Sequence, residues 1–129
     1  MSTPEKLSSK KSVKPTDIKL HQKSHMLEVS FEDGKEFQLP CEYLRVYSPS
    51  AEVQGHGPGQ EVLQLGKENV NIVNIKPVGH YAVVLEFDDE HNTGIYSWEK
   101  LYELGINQEK YWQNYLQRME AAGHKRKEK

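Results

Sequence analysis

The sequence VNIVNIKPVGHYAVVLEFDDEHNTGIYSWEKLYEL, residues Val70–Leu104, carries the strongest structural signals in the chain. Large apolar residues alternate with others along its centre, and a period of two residues predicts a strand with one buried face. Pro77 and Gly79 interrupt the run, so we expect two strands, Asn71–Lys76 and His80–Phe87. The side chains predicted to share the buried face are those of Tyr81, Val83, Leu85 and Phe87.

A polar loop and two helices are predicted after these strands. Asp88–Gly94 contains only polar or small residues, which is typical of a loop. Ser97 is a good N-cap for the helix that follows, and Gly105 is a typical C-terminal stop. Asn107 then caps a last helix, Gln108–Ala122, whose apolar stripe is predicted to dock on the sheet. The stripe consists of Tyr111, Trp112, Tyr115, Leu116 and Met119.

The N-terminal part of the chain predicts a β-hairpin and a short helix. Met26–Phe31 and Glu36–Leu39 alternate apolar and polar residues on either side of the tight-turn dipeptide Asp33–Gly34. A short strand, Asp17–Leu20, precedes the hairpin, and a short helix, Cys41–Val46, follows it. The predicted fold class is therefore α+β, with a small, mainly antiparallel β-sheet, short helices and a C-terminal amphipathic helix.

Charge is distributed unevenly along the 129 residues, although the net charge is only −2. Residues 1–14 carry +3 and residues 120–129 carry +2, which leaves −7 on residues 15–119. An acidic body repels phosphates, so nucleic acid is not an expected partner. Basic, polar ends are typical of disordered tails. We therefore predict one domain, residues 15–122, between disordered basic tails at residues 1–14 and 123–129.

Three features of the sequence predict a cytoplasmic protein. No apolar run approaches the roughly 20 residues needed to span a bilayer, so a membrane is not an expected partner. The N-terminal sequence MSTPEKLSSKK lacks the apolar region of a secretory signal. Cys41 is the single cysteine, which excludes an internal disulfide and fits a reducing compartment.

The residues able to carry chemistry form no recognisable metal or catalytic motif. The candidates for metal ligation are Cys41, His56, His80, His91 and the acidic run Asp88–Glu90. The sequence contains no H-E-x-x-H zincin motif, no C-x-x-C pair and no histidine followed two residues later by an acid. We therefore predict no catalytic residue and no cofactor, although three acids beside His91 leave a cation site open.

Two longer motifs resemble a known family. The segments LRVYSPSAEVQGH (Leu44–His56) and IKPVGHYAVVLEFDDEHNTGIYSWEKLYELG (Ile75–Gly105) closely resemble the gamma-butyrobetaine-hydroxylase-like N-terminal domain family. The resemblance runs from about Pro15 to Gly105. It implies an α+β domain built on antiparallel sheet, which occurs as small stand-alone bacterial proteins and fused to larger ones.

The resemblance also implies a comparison with a structural zinc site. In the hydroxylases this domain precedes the catalytic domain and binds zinc through three cysteines and one histidine. Carried over by position, the cysteines fall on Ser48, Ser50 and Val53, and the histidine falls on His91. Serine is a poor zinc ligand and valine is none, so we expect tight tetrahedral binding to be lost. His91 is expected to remain as a hydrogen-bonding residue that orders the Asp88–Gly94 turn.

A second type of fusion suggests a partner. The same domain is attached to P-loop ATPases of the Mrp type that carry iron–sulfur clusters, which implies a role beside cluster assembly or delivery. One cysteine cannot hold a cluster through thiolates, so the chain would serve as a docking module or would bring Cys41 to a shared site in a dimer. The resemblance thus implies a non-catalytic accessory module with a protein partner, such as an iron–sulfur carrier ATPase. The alternative is a zinc- or iron-binding domain related to that of the 2-oxoglutarate-dependent hydroxylases.

Because the family's zinc joins the two motif segments, we expect these segments to meet here and to form a binding surface. Its predicted residues are Arg45, Tyr47, Ser48, Pro49, Ser50, Glu52, His91, Thr93, Tyr96 and Trp98. The alternative is that these side chains hold the two loops together by hydrogen bonds in place of the zinc. An enzyme would need a pocket of titratable groups, and a metal protein would need further ligands near His91, such as Asp88, His56 or His80.

Overall fold

Strands and helices follow one another in two blocks along the residues that the computed structural model describes, which are 14–50, 64, 66–92 and 94–123. In chain order these elements are β1 (Pro15–His21), β2 (Met26–Phe31), β3 (Glu36–Pro40), α1 (Cys41–Val46), β4 (Ile72–Val78), β5 (Ala82–Phe87), β6 (Ile95–Ser97), α2 (Trp98–Ile106) and α3 (Gln108–Ala121). They form two antiparallel sheets, β1–β2–β3 and β4–β5–β6. The predicted α+β fold class is confirmed. The predicted tails lie outside the described residues, except for Lys14 and Gly123.

The first sheet is built on the predicted hairpin. Gly34 has a φ of +90°, and the Lys35 amide donates to Asp33 Oδ1 at 3.0 Å, as a tight turn requires. This turn sets the register in which Leu27 lies opposite Leu39. The alternating residues of β2 are buried, so the predicted hairpin and its buried face are confirmed.

The second sheet corrects two details of the prediction. Val83, Leu85 and Phe87 are buried as expected, but Tyr81 is 60% exposed because it lies in the turn before β5 begins. Pro77 was expected to end its strand, yet β4 continues through it to Val78. β4 is an edge strand of this sheet, and an edge tolerates a residue without an N–H.

One apolar core joins the two sheets and the helices. Two fully buried tyrosines cross it and satisfy their hydroxyl groups on backbone carbonyls. Tyr43 donates to the Leu104 carbonyl at 2.7 Å, and Tyr96 donates to the Leu44 carbonyl at 2.6 Å. Buried hydroxyls without partners would cost free energy, so these bonds fix how α1 sits against α2 and β6.

The sequence correctly predicts where α2 begins but not where it ends. Ser97 accepts a hydrogen bond from the Lys100 amide at 3.0 Å, which confirms it as the N-cap. Gly105 does not end the helix, which continues to Ile106. Gly105 is buried against the ring of Phe37, and a Cβ there would overlap that ring. Asn107 uses its side chain to donate to the Glu103 carbonyl rather than to cap α3.

Part of the apolar stripe of α3 docks on α1. Tyr111 and Trp112 of the stripe also pack against the main apolar core, to which both sheets contribute. Tyr115 and Met119 are buried with Val46 of α1. The Tyr115 hydroxyl also donates to the buried carboxylate of Glu42 at 2.8 Å. All six residues of α1 are buried, because the sheets cover one side of this short helix and α3 covers another. None of the described helices combines the length and apolar character needed to cross a bilayer.

The packing of Gly105 against Phe37 predicts that Gly105→Ala destabilises the protein. Alanine favours a helix over glycine by about 1 kcal/mol, but overlap with a packed ring costs about 1–3 kcal/mol. We expect a net loss of unfolding free energy, measured by urea denaturation. The loss should shrink when Phe37→Leu is introduced as well. A Gly105→Ala protein more stable than the wild type would contradict this packing.

Candidate functional site

The two motif segments meet at a buried hydrogen bond between Ser48 and His91. Ser48 follows α1, and His91 follows the turn after β5. His91 Nε2 lies 3.0 Å from Ser48 Oγ, and the two residues are 4% and 0% exposed. The expectations that these segments meet and that His91 serves in hydrogen bonding are therefore confirmed.

Local structure fixes both partners of this bond. The Phe87 amide donates to the His91 carbonyl at 3.0 Å, and the His91 amide donates to Asp89 Oδ1 at 3.2 Å. This tight turn requires a φ of +70° at Glu90, a conformation that non-glycine residues rarely adopt. On the other segment, Ser48 Oγ accepts a hydrogen bond from the Ser50 amide at 3.2 Å.

Gly94 allows the second segment to approach Ser48 closely. A Cβ at Gly94 would overlap Ser48 Oγ and would also press on the ring of Tyr96. Tyr96 is fully buried, and this burial raises the pKa of its hydroxyl, which stays protonated as a donor. The glycine and the tyrosine of the G-I-Y sequence therefore have packing roles beside the Ser48–His91 bond.

An ion pair lies beside the hydrogen bond. Arg45 Nε donates to Asp89 Oδ2 at 2.9 Å, and Arg45 Nη1 donates to Gln64 Oε1 at 3.1 Å. Lys67 Nζ contacts the same Asp89 oxygen at 2.6 Å. Burial alone raises the pKa of Asp89, but hydrogen bonds and charge from Lys67 and Arg45 outweigh it and hold that pKa below its ordinary value. We call Arg45, Ser48, Asp89 and His91 the polar junction.

The structure brings together part of the predicted site. Arg45, Ser48, Ser50, His91 and Tyr96 are all less than 9% exposed, so these side chains do not themselves present an exposed surface. Arg45 bonds Asp89, His91 bonds Ser48, and Tyr96 bonds a backbone carbonyl. This pairing is what allows these polar groups to be buried.

The other predicted site residues are more accessible or lie elsewhere. Tyr47 and Pro49 are half-buried beside Ser48, and the Tyr47 hydroxyl donates to the Tyr111 carbonyl at 2.8 Å. Trp98 is half-buried and donates from Nε1 to the His80 carbonyl, at the end of β5 opposite to His91. Glu52 and Thr93 lie outside the described residues.

Sequence reasoning missed Lys67 and Gln64, and it considered Asp89 only as a metal ligand. Asp89 lies 44 residues after Arg45, and Gln64 lies 19 residues after it. No local pattern predicts pairs at such separations. The only signal was that one of the two motif segments contains Arg45 and the other contains Asp89.

The residues at the family's zinc position do not fit tetrahedral zinc. Ser48 and Ser50 present neutral hydroxyls, and Ser48 Oγ is already bonded to His91 and to the Ser50 amide. Val53 and His56 lie outside the described residues. Among the residues that are described, no three His, Cys, Asp or Glu side chains are placed to hold a metal ion.

Cys41 is a free cysteine in the apolar core. Its side chain is fully buried, and Sγ lies 3.6 Å from Asn71 Oδ1. Burial raises the pKa of the thiol to about 11, so the reactive thiolate is scarce at neutral pH. This burial favours the alternative in which the chain serves as a docking module over one in which Cys41 ligates a shared cluster.

The described chain also forms an open groove of about 610 Å³. It is lined by Pro40, Gly105, Ile106, Gln108, Glu109 and Trp112. None of these residues belongs to the polar junction, and Glu109 is the single acid or base among them. The groove therefore lacks the several convergent titratable groups that an enzyme site uses.

These features define the class of protein: a small α+β domain of two antiparallel sheets, in which buried polar side chains join two loops. Residues 18–102 match the family model described as gamma-butyrobetaine hydroxylase-like, N-terminal. The chain belongs to this family, as its motifs indicate. No curated protein matches the chain.

Three solved structures are similar to the chain. One, an NMR solution structure, is 56% identical, with 89% of this chain and 86% of that chain covered and a TM-score of 0.76. A second NMR solution structure is 44% identical, with 90% and 93% covered and a TM-score of 0.76. The third is the crystal structure of a protein of unknown function from Acidithiobacillus ferrooxidans, assigned to the DUF971 family. It is 41% identical, with 71% and 92% covered and a TM-score of 0.61.

The lowered pKa of Asp89 predicts a pH dependence of stability. A carboxylate whose folded-state pKa lies below the ordinary value of 3.8 stabilises the fold above about pH 4, and this stabilisation is lost as the pH falls through the folded-state pKa. At neutral pH, Asp89→Asn should cost about 1–3 kcal/mol, because Arg45 loses its carboxylate partner.

Urea denaturation of both proteins at about pH 5 and about pH 2.5 tests this pH dependence. The difference in unfolding free energy between wild type and Asp89→Asn should be large at the higher pH and should shrink at the lower pH. Glu90→Gln, in the exposed part of the same turn, is the control and should show a much smaller effect. An Asp89→Asn protein as stable as wild type at both pH values would contradict the ion pair's role.

Proposed function

We propose that the protein is a non-catalytic, cytoplasmic accessory module that binds another protein during iron–sulfur cluster assembly or delivery. Its expected partner is an iron–sulfur carrier ATPase of the Mrp type. The family's occurrence as a fusion to such ATPases supports this partner. The single, buried Cys41 supports a role in which the partner, and not this chain, carries the cluster.

The observation that carries the proposal is the contact between Ser48 and His91. A catalytic serine–histidine pair also lies within hydrogen-bonding distance, but its serine must be accessible to a substrate. Here Nε2 of His91 and Oγ of Ser48 lie 3.0 Å apart, and the pair is buried. This arrangement supports a structural role for the polar junction, which holds two surface loops in a fixed relation. Loops held on a rigid scaffold are common recognition surfaces.

The proposed partner surface consists of the accessible residues around the polar junction. Tyr47 and Pro49 are half-buried on the first loop, and Glu90 and Asn92 are exposed on the second. Glu52 and Thr93 belong to the same two segments and complete the proposed set. Arg45, Ser48, Ser50, His91 and Tyr96 would act indirectly, by positioning these residues.

The first test is recovery of the partner. Tagged full-length protein, expressed in its native cell and captured from lysate, should recover the iron–sulfur carrier ATPase. The interaction should then be reproduced between the two purified proteins. Capture that recovers no protein of iron–sulfur assembly would overturn the cluster-related part of the proposal.

A charge reversal on the exposed turn tests the proposed surface. Glu90→Lys should weaken binding to the purified ATPase about tenfold, because one side chain at the centre of an interface commonly accounts for this much. Glu32→Lys is the matched control, since it makes the same charge change at an exposed position in the β2–β3 turn. Arg45→Ala is less informative, because it removes a buried cation from its ion pair and destabilises the fold.

Both variants should keep the wild-type melting temperature within a few degrees, as expected for exposed positions. Equal binding by wild type, Glu90→Lys and Glu32→Lys would show that the partner does not contact this surface. Equal loss of binding in both variants would show that net charge, and not the loops beside the polar junction, controls the interaction.

A further inference from the structure

The open groove has the dimensions and lining of a peptide-binding surface. We call it the α2–α3 groove, since Gly105, Ile106, Gln108, Glu109 and Trp112 lie around the junction of these helices, with Pro40 at the end of β3. Its volume of about 610 Å³ falls within the range of about 300–1,000 Å³ found for ligand sites. Because the groove is open to solvent, it suits a segment of another chain better than an enclosed small molecule.

The floor of the groove is apolar and rigid. Ile106 is 50% exposed and lies among the residues that line the groove, so its side chain is available for an apolar contact. The Trp112 ring is fixed by Tyr115 at 5.1 Å and Tyr43 at 6.3 Å between ring centroids. An exposed aliphatic residue beside a fixed tryptophan is the combination that binds apolar anchors in protein interfaces.

The rim of the groove is acidic. Gln108 is bonded to β3 through Nε2 and the Gln38 carbonyl at 3.1 Å, which leaves Glu109 as the exposed polar side chain at the rim. Trp112 follows Glu109 by three residues, so both side chains lie on the same face of α3. A lysine or arginine there pairs with the carboxylate while its aliphatic stem packs on the indole ring.

The charge of the whole domain favours the same kind of occupant. Residues 15–119 carry a net charge of −7, so their long-range field attracts basic segments and repels acidic ones. We propose that the α2–α3 groove binds a basic peptide segment of another protein, in which an aliphatic or aromatic anchor lies on Ile106 and Trp112 and a neighbouring lysine or arginine pairs with Glu109.

This inference goes beyond the proposed function and does not depend on it. The groove shares no residue with the polar junction or with the loops around it. Loss of iron–sulfur partner binding in Glu90→Lys and loss of peptide binding in groove variants are therefore separate outcomes, and either proposal stands if the other fails.

The test uses isotope-labelled full-length protein and a synthetic peptide of alternating leucine and lysine residues. Amide and indole resonances of Gly105, Ile106, Glu109 and Trp112 should shift on titration. A fluorescein-labelled copy of the peptide then gives the affinity by polarisation. Peptides with glutamate in place of lysine, or serine in place of leucine, should bind at least tenfold more weakly, since the first change reverses the charge that pairs with Glu109 and the second removes the apolar anchor.

Two variants and one matched control locate the binding. Ile106→Glu should weaken peptide binding at least tenfold, and Glu109→Lys should weaken it about fivefold to tenfold while improving binding of the glutamate peptide. Ile95→Glu introduces the same change at another isoleucine that is 50% exposed, in β6, and should leave the affinity unchanged. Melting temperatures confirm that all three variants fold.

Three results would overturn the proposal. The first is equal affinity for the lysine and glutamate peptides. The second is an equal loss of affinity in Ile95→Glu and Ile106→Glu. The third is self-association by sedimentation that Ile106→Glu abolishes, which would identify a second copy of this chain as the occupant of the groove.

Discussion

The structure depends on a polar contact between two loops, in which the buried Ser48 meets the buried His91, and the buried Arg45 meets the more accessible Asp89. Burying a polar group costs free energy unless the group is hydrogen-bonded or paired. Loss of either partner would therefore destabilise the fold. A structural zinc in small domains contributes about 10–16 kcal/mol, whereas a hydrogen bond contributes about 1 kcal/mol net. The polar junction therefore fixes loop geometry, and the apolar core must supply most of the stability.

Helix α1 connects that core to the polar junction. Its six residues are buried, and they include Arg45 of the junction and Glu42, which accepts a hydrogen bond from Tyr115 of α3. Tyr96 donates to the carbonyl of Leu44 in the same helix. Movement of α1 would disturb the sheets, α3 and both loops together, so this short helix couples the fold to the candidate functional surfaces.

The sequence predicts the features that arise from neighbouring residues. The hairpin around Gly34, the buried face of Val83 and the N-cap at Ser97 all follow from local patterns, and the motif resemblance indicates that Ser48 and His91 meet. Prediction from the sequence fails where a structural feature depends on a contact between residues that are far apart in the chain. Gly105 lies inside α2 and packs against Phe37 of β3. Arg45 is buried with an ion-pair partner, Asp89, that lies 44 residues further along the chain. Local periodicity contains no information about such pairs.

The most direct measurement is a double-mutant cycle on the hydrogen bond between the two loops. Unfolding free energies of wild type, Ser48→Ala, His91→Ala and the double variant give the coupling energy between these side chains. If the bond joins the two segments in place of a metal, each single variant is destabilised and the coupling is about 1 kcal/mol or more. A coupling energy within about 0.3 kcal/mol of zero would show that Ser48 and His91 act independently and would contradict this role.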